Sequence, residues 1–342
     1  MVYSFGTHIT SIPTTSLQIP KNLDIVRAEE LMQLCVYTYD QYDEYTANQN
    51  NNKTWTIPAP FKVEKMFYVY EKGKNNISKK IPFGFIAKNT SGNNKNIYIC
   101  FRGTKTASEW EQDAKIQLVP LVNSILNDKN NKNIKVHKGF QEVYTNPNDV
   151  DIDLGSLQNQ MRDYLKTIKT EDYNNLWVTG HSLGGAVATL AVIDIVTNTI
   201  HKGAKMYNFA SPLVGNQEFV NFFKENIGTN QCNNNSNNST CSWRIVNIND
   251  LVPKFPESIL GYVHVNGCSG TSMCNNIGDN LKNGVFEIKF AEKCTIFLKN
   301  KLSGKQINPL IEDSCLTNAH SANGYLNKLK EIKVYKNPNL IK

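Results

Sequence analysis

The stretch NLWVTGHSLGGAVATLAVIDIV, residues 175–196, changes character half-way along. Its first part, LWVTG, is short, apolar and β-branched, as a buried strand requires. Its second part, AVATLAVIDIV, stays apolar over a length that fits a helix. Ser182 stands at the join, with Gly180 before it and Gly184 and Gly185 after it. A side chain held on so sharp a strand-to-helix turn projects beyond the sheet, and small neighbours let the strained backbone pass close to the adjoining helix. The bare G-x-S-x-G spacing is weak, because it arises by chance and a serine there would also serve as a plain helix cap. The strand before it and the helix after it give it weight.

Outward from this turn the same alternation continues. IVRAEELMQLCVYTYDQY, 25–42, predicts a helix with Leu31, Leu34, Cys35 and Tyr39 at helical spacing. KVEKMFYVY, IPFGFIAKN and NIYICFRG, ending at 70, 89 and 103, predict successive strands. Leu157, Met161, Tyr164, Leu165 and Ile168 share one face of a helix over 156–168, and KMYNFASP and SWRIVNIND predict two later strands. Short apolar strands alternating with helices argue an α/β fold with a mostly parallel, mixed sheet flanked by helices. The Asn-rich insertions 124–135 and 226–240 read as surface loops. One domain over 1–342 is expected, with a helical extension over about 1–60.

The composition is 40% apolar and 20% charged, with a net charge of 37 − 30 = +7. Its densest basic run, NDKNNKNIKVHK at 127–138, lacks interleaved aromatics, so no nucleic-acid partner is expected. No apolar run approaches 18 residues, so no membrane span is expected. Residues 1–20 lack a basic segment followed by an apolar one, so no intact signal peptide is visible. Of eight cysteines, Cys232 with Cys241 and Cys268 with Cys274 lie in polar, loop-like segments that a disulfide would staple, whereas Cys100 reads as a buried strand thiol. This favours an oxidising, secretory or extracellular compartment without excluding the cytoplasm. Cysteine spacing does not match a zinc site, and no metal or cofactor is expected.

A neutral serine hydroxyl needs a base to take its proton. Of six histidines, His320 follows all the predicted strands in the chain order Ser, Asp, His; His264 in GYVHVNG competes with it. His181 adjoins Ser182, but neighbouring side chains diverge at such a turn. Asp250, at the end of RIVNIND, puts a carboxylate at a strand's carboxyl edge, where it can orient a base. Oxyanion donors are expected from the Leu183 N–H and from Thr104, after the strand that ends in Gly103.

The chain resembles the class 3, fungal-type lipases of the α/β-hydrolases. The matching pieces are CFRGT at 100–104, VHKGF at 136–140, VTGHSLGGAVATL at 178–190, FASPLVGN at 209–216, VNINDLVPKFP at 246–256, GYVHVNG at 261–267 and CLTNAHSANGYL at 315–326. The resemblance implies Ser182 as nucleophile, His320 as base, Asp250 as its orienting acid, and Thr104 and Leu183 as the oxyanion hole. It also implies a mobile helical lid over 105–122, with Trp110, Ile116, Leu118 and Val119 packing over the serine in water and turning outward at a lipid surface; an ordinary active-site loop or short helix is the alternative there. The implied activity is hydrolysis of carboxylic esters through an acyl-enzyme, most simply of triacylglycerols at a lipid–water interface. Phospholipase A1, mono- and diacylglycerol lipase and feruloyl esterase activities fit the same scaffold, and a lipid-binding protein without catalysis is a remote alternative.

Overall fold

Trp177 and Val178 lie in the middle strand of a twisted sheet, pointing to opposite faces and both fully buried. The computed structural model describes residues 19–20, 22–47, 55–72, 78–89, 91–92, 95–104, 116–126, 132–147, 150–228, 239–256, 260–266, 284–288 and 318–336. Among these, the order of elements is α1 (Ile25–Ala47), β1 (Phe61–Lys72), β2 (Ser78–Asn89), β3 (Asn96–Phe101), β4 (Leu118–Pro120), β5 (Lys135–His137), α2 (Lys138–Thr145), α3 (Leu157–Leu165), β6 (Asn175–His181), α4 (Leu183–Asn198), β7 (Lys205–Phe209), α5 (Gln217–Asn226), β8 (Cys241–Asn247), β9 (Val285–Ile288) and α6 (Ala322–Lys336). The main sheet runs β1-β2-β3-β6-β7-β8-β9. β1, β2 and β3 pair antiparallel, and every later neighbour is parallel.

Parallel strands need covering on both faces, and the side chains divide accordingly. Ile97, Ile99 and Phe101 of β3 and Leu176 and Val178 of β6 face a core closed by α2, α3, α4 and α5. Tyr98 and Cys100 of β3, Trp177 of β6 and Tyr207 of β7 face the opposite core, which α1 and α6 close. Strand periodicity is therefore present, although both phases are apolar. Each fully buried large aliphatic or aromatic side chain contributes about 1.5–3 kcal/mol relative to exposure.

The helices start where local chemistry allows. Asp24 accepts the Val26 and Arg27 N–H groups at 3.0 Å each, satisfying donors that the first turn of α1 leaves free. The helix then runs to Ala47, beyond the expected end at 42. α3 is shorter than expected, 157–165 against 156–168. α4 is buried continuously from Leu183 to Val196, which explains its unbroken apolar sequence. Its one carboxylate, Asp194, is buried and bonded by Tyr144 Oη at 2.7 Å, Gln158 Nε2 at 3.1 Å, Arg162 Nε at 3.1 Å and Asn198 Nδ2 at 2.9 Å. That network ties α2, α3 and α4 together.

Two expectations change. Cys241 opens β8 and is fully buried, so it is not a loop cysteine, whereas Cys232, Cys268 and Cys274 lie outside the described residues. Leu118 and Val119 form β4 and pair antiparallel with His137 and Val136 of β5. This end of the expected lid is thus a tethered strand and not a helix. No helix among the described residues is long and apolar enough to cross a membrane.

Candidate active site

The site lies at the carboxyl ends of β3, β6 and β8. Ser182 links β6 to α4 with φ 59° and ψ −130°, a backbone conformation that costs a non-glycine residue about 1–3 kcal/mol. Two bonds hold it there: the Ser182 N–H donates to Phe209 O at 3.0 Å, and Ser182 O accepts from Gly185 N at 2.9 Å. The turn closes only because the flanking residues lack Cβ. A Cβ on Gly180 would lie 2.1 Å from Gly184 O, and one on Gly184 would lie 2.2 Å from Phe101 O.

His320 stands just before α6 and bridges the other two groups. Its Nε2 is 2.8 Å from Ser182 Oγ, and its Nδ1 is 2.8 Å from Asp250 Oδ2. Asp250 is almost wholly buried and His320 nearly so. Two further donors hold the carboxylate, since Oδ1 accepts from Val252 N at 2.9 Å and Oδ2 also accepts from Tyr325 Oη at 2.9 Å. A buried carboxylate with these donors holds the Nδ1–H tautomer of the base and leaves Nε2 to face the serine. His264, the rival base, is turned elsewhere, with Nε2 2.6 Å from Pro253 O and a pKa pushed well below 6.5 by burial and then by Arg244.

On the opposite side stands Thr104. Its hydroxyl is buried and has no hydrogen-bond partner among the described residues, so there it is a donor without an acceptor. Arg102 sets the peptide before it: Nη1 donates to Gly103 O at 2.8 Å and Nε to Pro82 O at 3.1 Å, while the guanidinium lies over the Tyr42 ring at 4.2 Å. In a planar trans peptide the N–H points opposite to the C=O, so the Thr104 N–H faces away from Arg102. Leu183 begins α4, whose first N–H groups carry the positive end of the helix dipole.

All five predicted triad and oxyanion residues therefore occupy one end of the sheet, and Ser182, His320 and Asp250 are in direct contact. The expected lid residues separate: Trp110 lies outside the described residues, Ile116 is 47% exposed, and Leu118 and Val119 are half-buried in β4. Sequence reading missed Tyr325, five residues after His320 and visible only as one tyrosine among fifteen. It also set His181 aside, yet that ring lies beside His320, tilted by 35° with centroids 4.7 Å apart, and bonds through Nδ1 to Tyr39 Oη at 2.8 Å.

Sheet and site together define the class: an α/β-hydrolase fold with a serine, a histidine and an aspartate in contact at the carboxyl edge of its parallel strands. Residues 98–259 match the family model described as lipase (class 3). It is 30% identical over 174 residues to phospholipase A1-II 1 of Oryza sativa subsp. indica, covering 49% of this chain and 41% of that protein. It is 26% identical over 259 residues to a secreted mono- and diacylglycerol lipase of Malassezia globosa, covering 75% and 72%. A lipase of Rhizomucor miehei is 25% identical over 274 residues, covering 77% and 65%. Among solved structures, the mono- and diacylglycerol lipase from Aspergillus oryzae aligns with a TM-score of 0.49 at 22% identity, covering 73% and 81%. The chain spans about two-fifths of the length of the rice phospholipases it matches.

Proposed function

We propose that this chain is a serine carboxylic ester hydrolase acting on acylglycerols, with triacylglycerol the first substrate to test. The observation that carries the reading is the His320 ring, 2.8 Å from Ser182 Oγ on one side and 2.8 Å from Asp250 on the other. Ser182 Oγ attacks the ester carbonyl while His320 Nε2 takes its proton, and Asp250 stabilises the imidazolium. The oxyanion is received by the N–H groups of Leu183 and Thr104 and by the Thr104 hydroxyl, which has no partner among the described residues. The imidazolium then protonates the leaving alcohol, the acyl group remains on Ser182, and water activated by the same imidazole releases the fatty acid.

The names of the relatives favour two neighbouring readings, phospholipase A1 and mono- or diacylglycerol lipase. A lid over 105–122 would swing on its tethered end at β4. We place the protein outside the cytoplasm and read it as one domain. A secreted relative supports the compartment, and the packing of α1 and α6 on one face of the sheet supports the single domain.

The deciding experiment is a panel of p-nitrophenyl esters of rising chain length, triacylglycerol emulsion, phospholipid and methyl ferulate, run beside Ser182→Ala. Hydrolysis of acylglycerols that falls at least about 10⁴-fold in Ser182→Ala is expected. Undiminished hydrolysis in that variant overturns the reading. Preferential turnover of phospholipid or ferulate moves the substrate assignment and leaves the chemistry.

A further inference from the structure

We infer that Tyr39, on the N-terminal helix and outside the family-matched segment, is a positioning residue that holds the catalytic imidazole through His181. The inference rests on the ester-hydrolase reading for its kinetic consequence, and on the geometry alone for its mechanical one.

Tyr39 Oη lies 2.8 Å from His181 Nδ1, with the two rings edge to face at 5.8 Å. Burial raises the phenol above its ordinary pKa of 10, so it keeps its proton. Burial and then the neighbouring His320 push His181 well below 6.5, so that imidazole is neutral. One hydrogen bond joins Tyr39 Oη to His181 Nδ1, and the His181 tautomer sets its direction.

The ring held in this way forms one wall of the catalytic base. His181 lies against His320 at 4.7 Å and 35°, and against the edge of Tyr325 at 5.5 Å and 72°. Rotation of the His320 ring would break its 2.8 Å bonds to Ser182 and Asp250 together, and the His181 face opposes that rotation. The same Tyr39 oxygen also abuts the oxyanion loop, since a Cβ on Gly103 would sit 2.4 Å from it. One hydroxyl on α1 thus touches the loop that carries Thr104 and the residue that precedes the nucleophile. Tyr39 reaches no reacting atom, so its effect must pass through these neighbours.

The test uses the full chain with Tyr39→Phe, His181→Asn, the double variant and Ser182→Ala. kcat and KM are measured on p-nitrophenyl butyrate, and the proton NMR signal of the His320 Nδ1–H, expected far downfield, is recorded for each. If Tyr39 acts through His181, each single variant loses about tenfold in kcat with KM within about twofold, and the double variant is no worse than His181→Asn. The downfield proton broadens in Tyr39→Phe while circular dichroism stays native. A Tyr39→Phe enzyme within twofold of the parent, or single effects that multiply in the double variant, overturns the inference. Should His181→Asn fail to fold, a downfield proton as sharp in Tyr39→Phe as in the parent overturns it equally. Hydrolysis undiminished in Ser182→Ala would instead sink the ester-hydrolase reading, and the NMR signal would still decide whether Tyr39 holds the ring.

Discussion

Replacing Tyr325 with phenylalanine deletes one oxygen and two hydrogen bonds while keeping the ring that packs against His181. Tyr325 Oη donates to Asp250 Oδ2 at 2.9 Å and accepts from Asn247 N at 2.7 Å, and the side chain is fully buried. A bond to a charged acceptor contributes about 1.5–3 kcal/mol, and a buried backbone N–H left without a partner costs about 1–3 kcal/mol. The two are not additive, because Asp250 keeps its bonds from His320 and Val252, so a loss of about 2–4 kcal/mol of stability is expected. The carboxylate, freed on one side, holds the imidazole less firmly. If about 1.4 kcal/mol of that loss falls on the transition state, kcat drops tenfold. Urea unfolding gives the first quantity, and kcat on a soluble short-chain ester gives the second. A variant with parental stability and parental kcat would refute the view that the phenol braces the acid.

Thr104→Val should separate stability from activity, because it removes a buried hydroxyl that has no partner among the described residues. Stability stays equal or rises by about 1 kcal/mol while kcat falls about 10- to 100-fold; a fall in both would assign the hydroxyl a structural bond. Gly180→Ala forces a Cβ to 2.1 Å from Gly184 O and should cost more than about 3 kcal/mol, read as loss of soluble folded protein, whereas a native-like urea midpoint would show that the turn can relax. Stability should also fall with acid. Burial holds His137 at about 4, and His181 and His264 well below 6.5. The unfolded chain takes up these protons near pH 6.5 and the folded chain resists, so this stability is complete above that pH and is lost as pH falls toward 4, at about 1.4 kcal/mol per pH unit for each histidine. Urea midpoints at pH 7.5, 6 and 5 that did not decline would contradict it.

What could be read in the chain was what a short segment encodes by itself. The strand–serine–helix turn and the order of strands and helices rest on periodicity and local residue types, whereas the choice of His320 over His264 rests on chain order and the family resemblance. Cys100 likewise proved to be a buried strand thiol. What could not be read depends on meetings between distant segments. Tyr325 and Asp250 are 75 residues apart, and Tyr39 and His181 are 142 apart. No local pattern marks a tyrosine as someone else's hydrogen-bond donor. His181 was set aside because adjacent side chains diverge, yet the turn that separates it from Ser182 delivers it to the flank of His320. β4 was missed because three residues show no period, and its register comes from β5.

The two terminal helices share one core. Leu31, Leu34 and Cys35 of α1 lie with Tyr325, Leu326 and Leu329 of α6, and Lys333 pairs with Glu29 across them at 2.8 Å. A polypeptide trimmed to the most family-like span, 98–259, would keep its alcohol and its acid yet have no proton acceptor and no wall to seat one. Competence therefore belongs to the whole loop of chain, with the earliest helix serving as the berth for the last group to arrive.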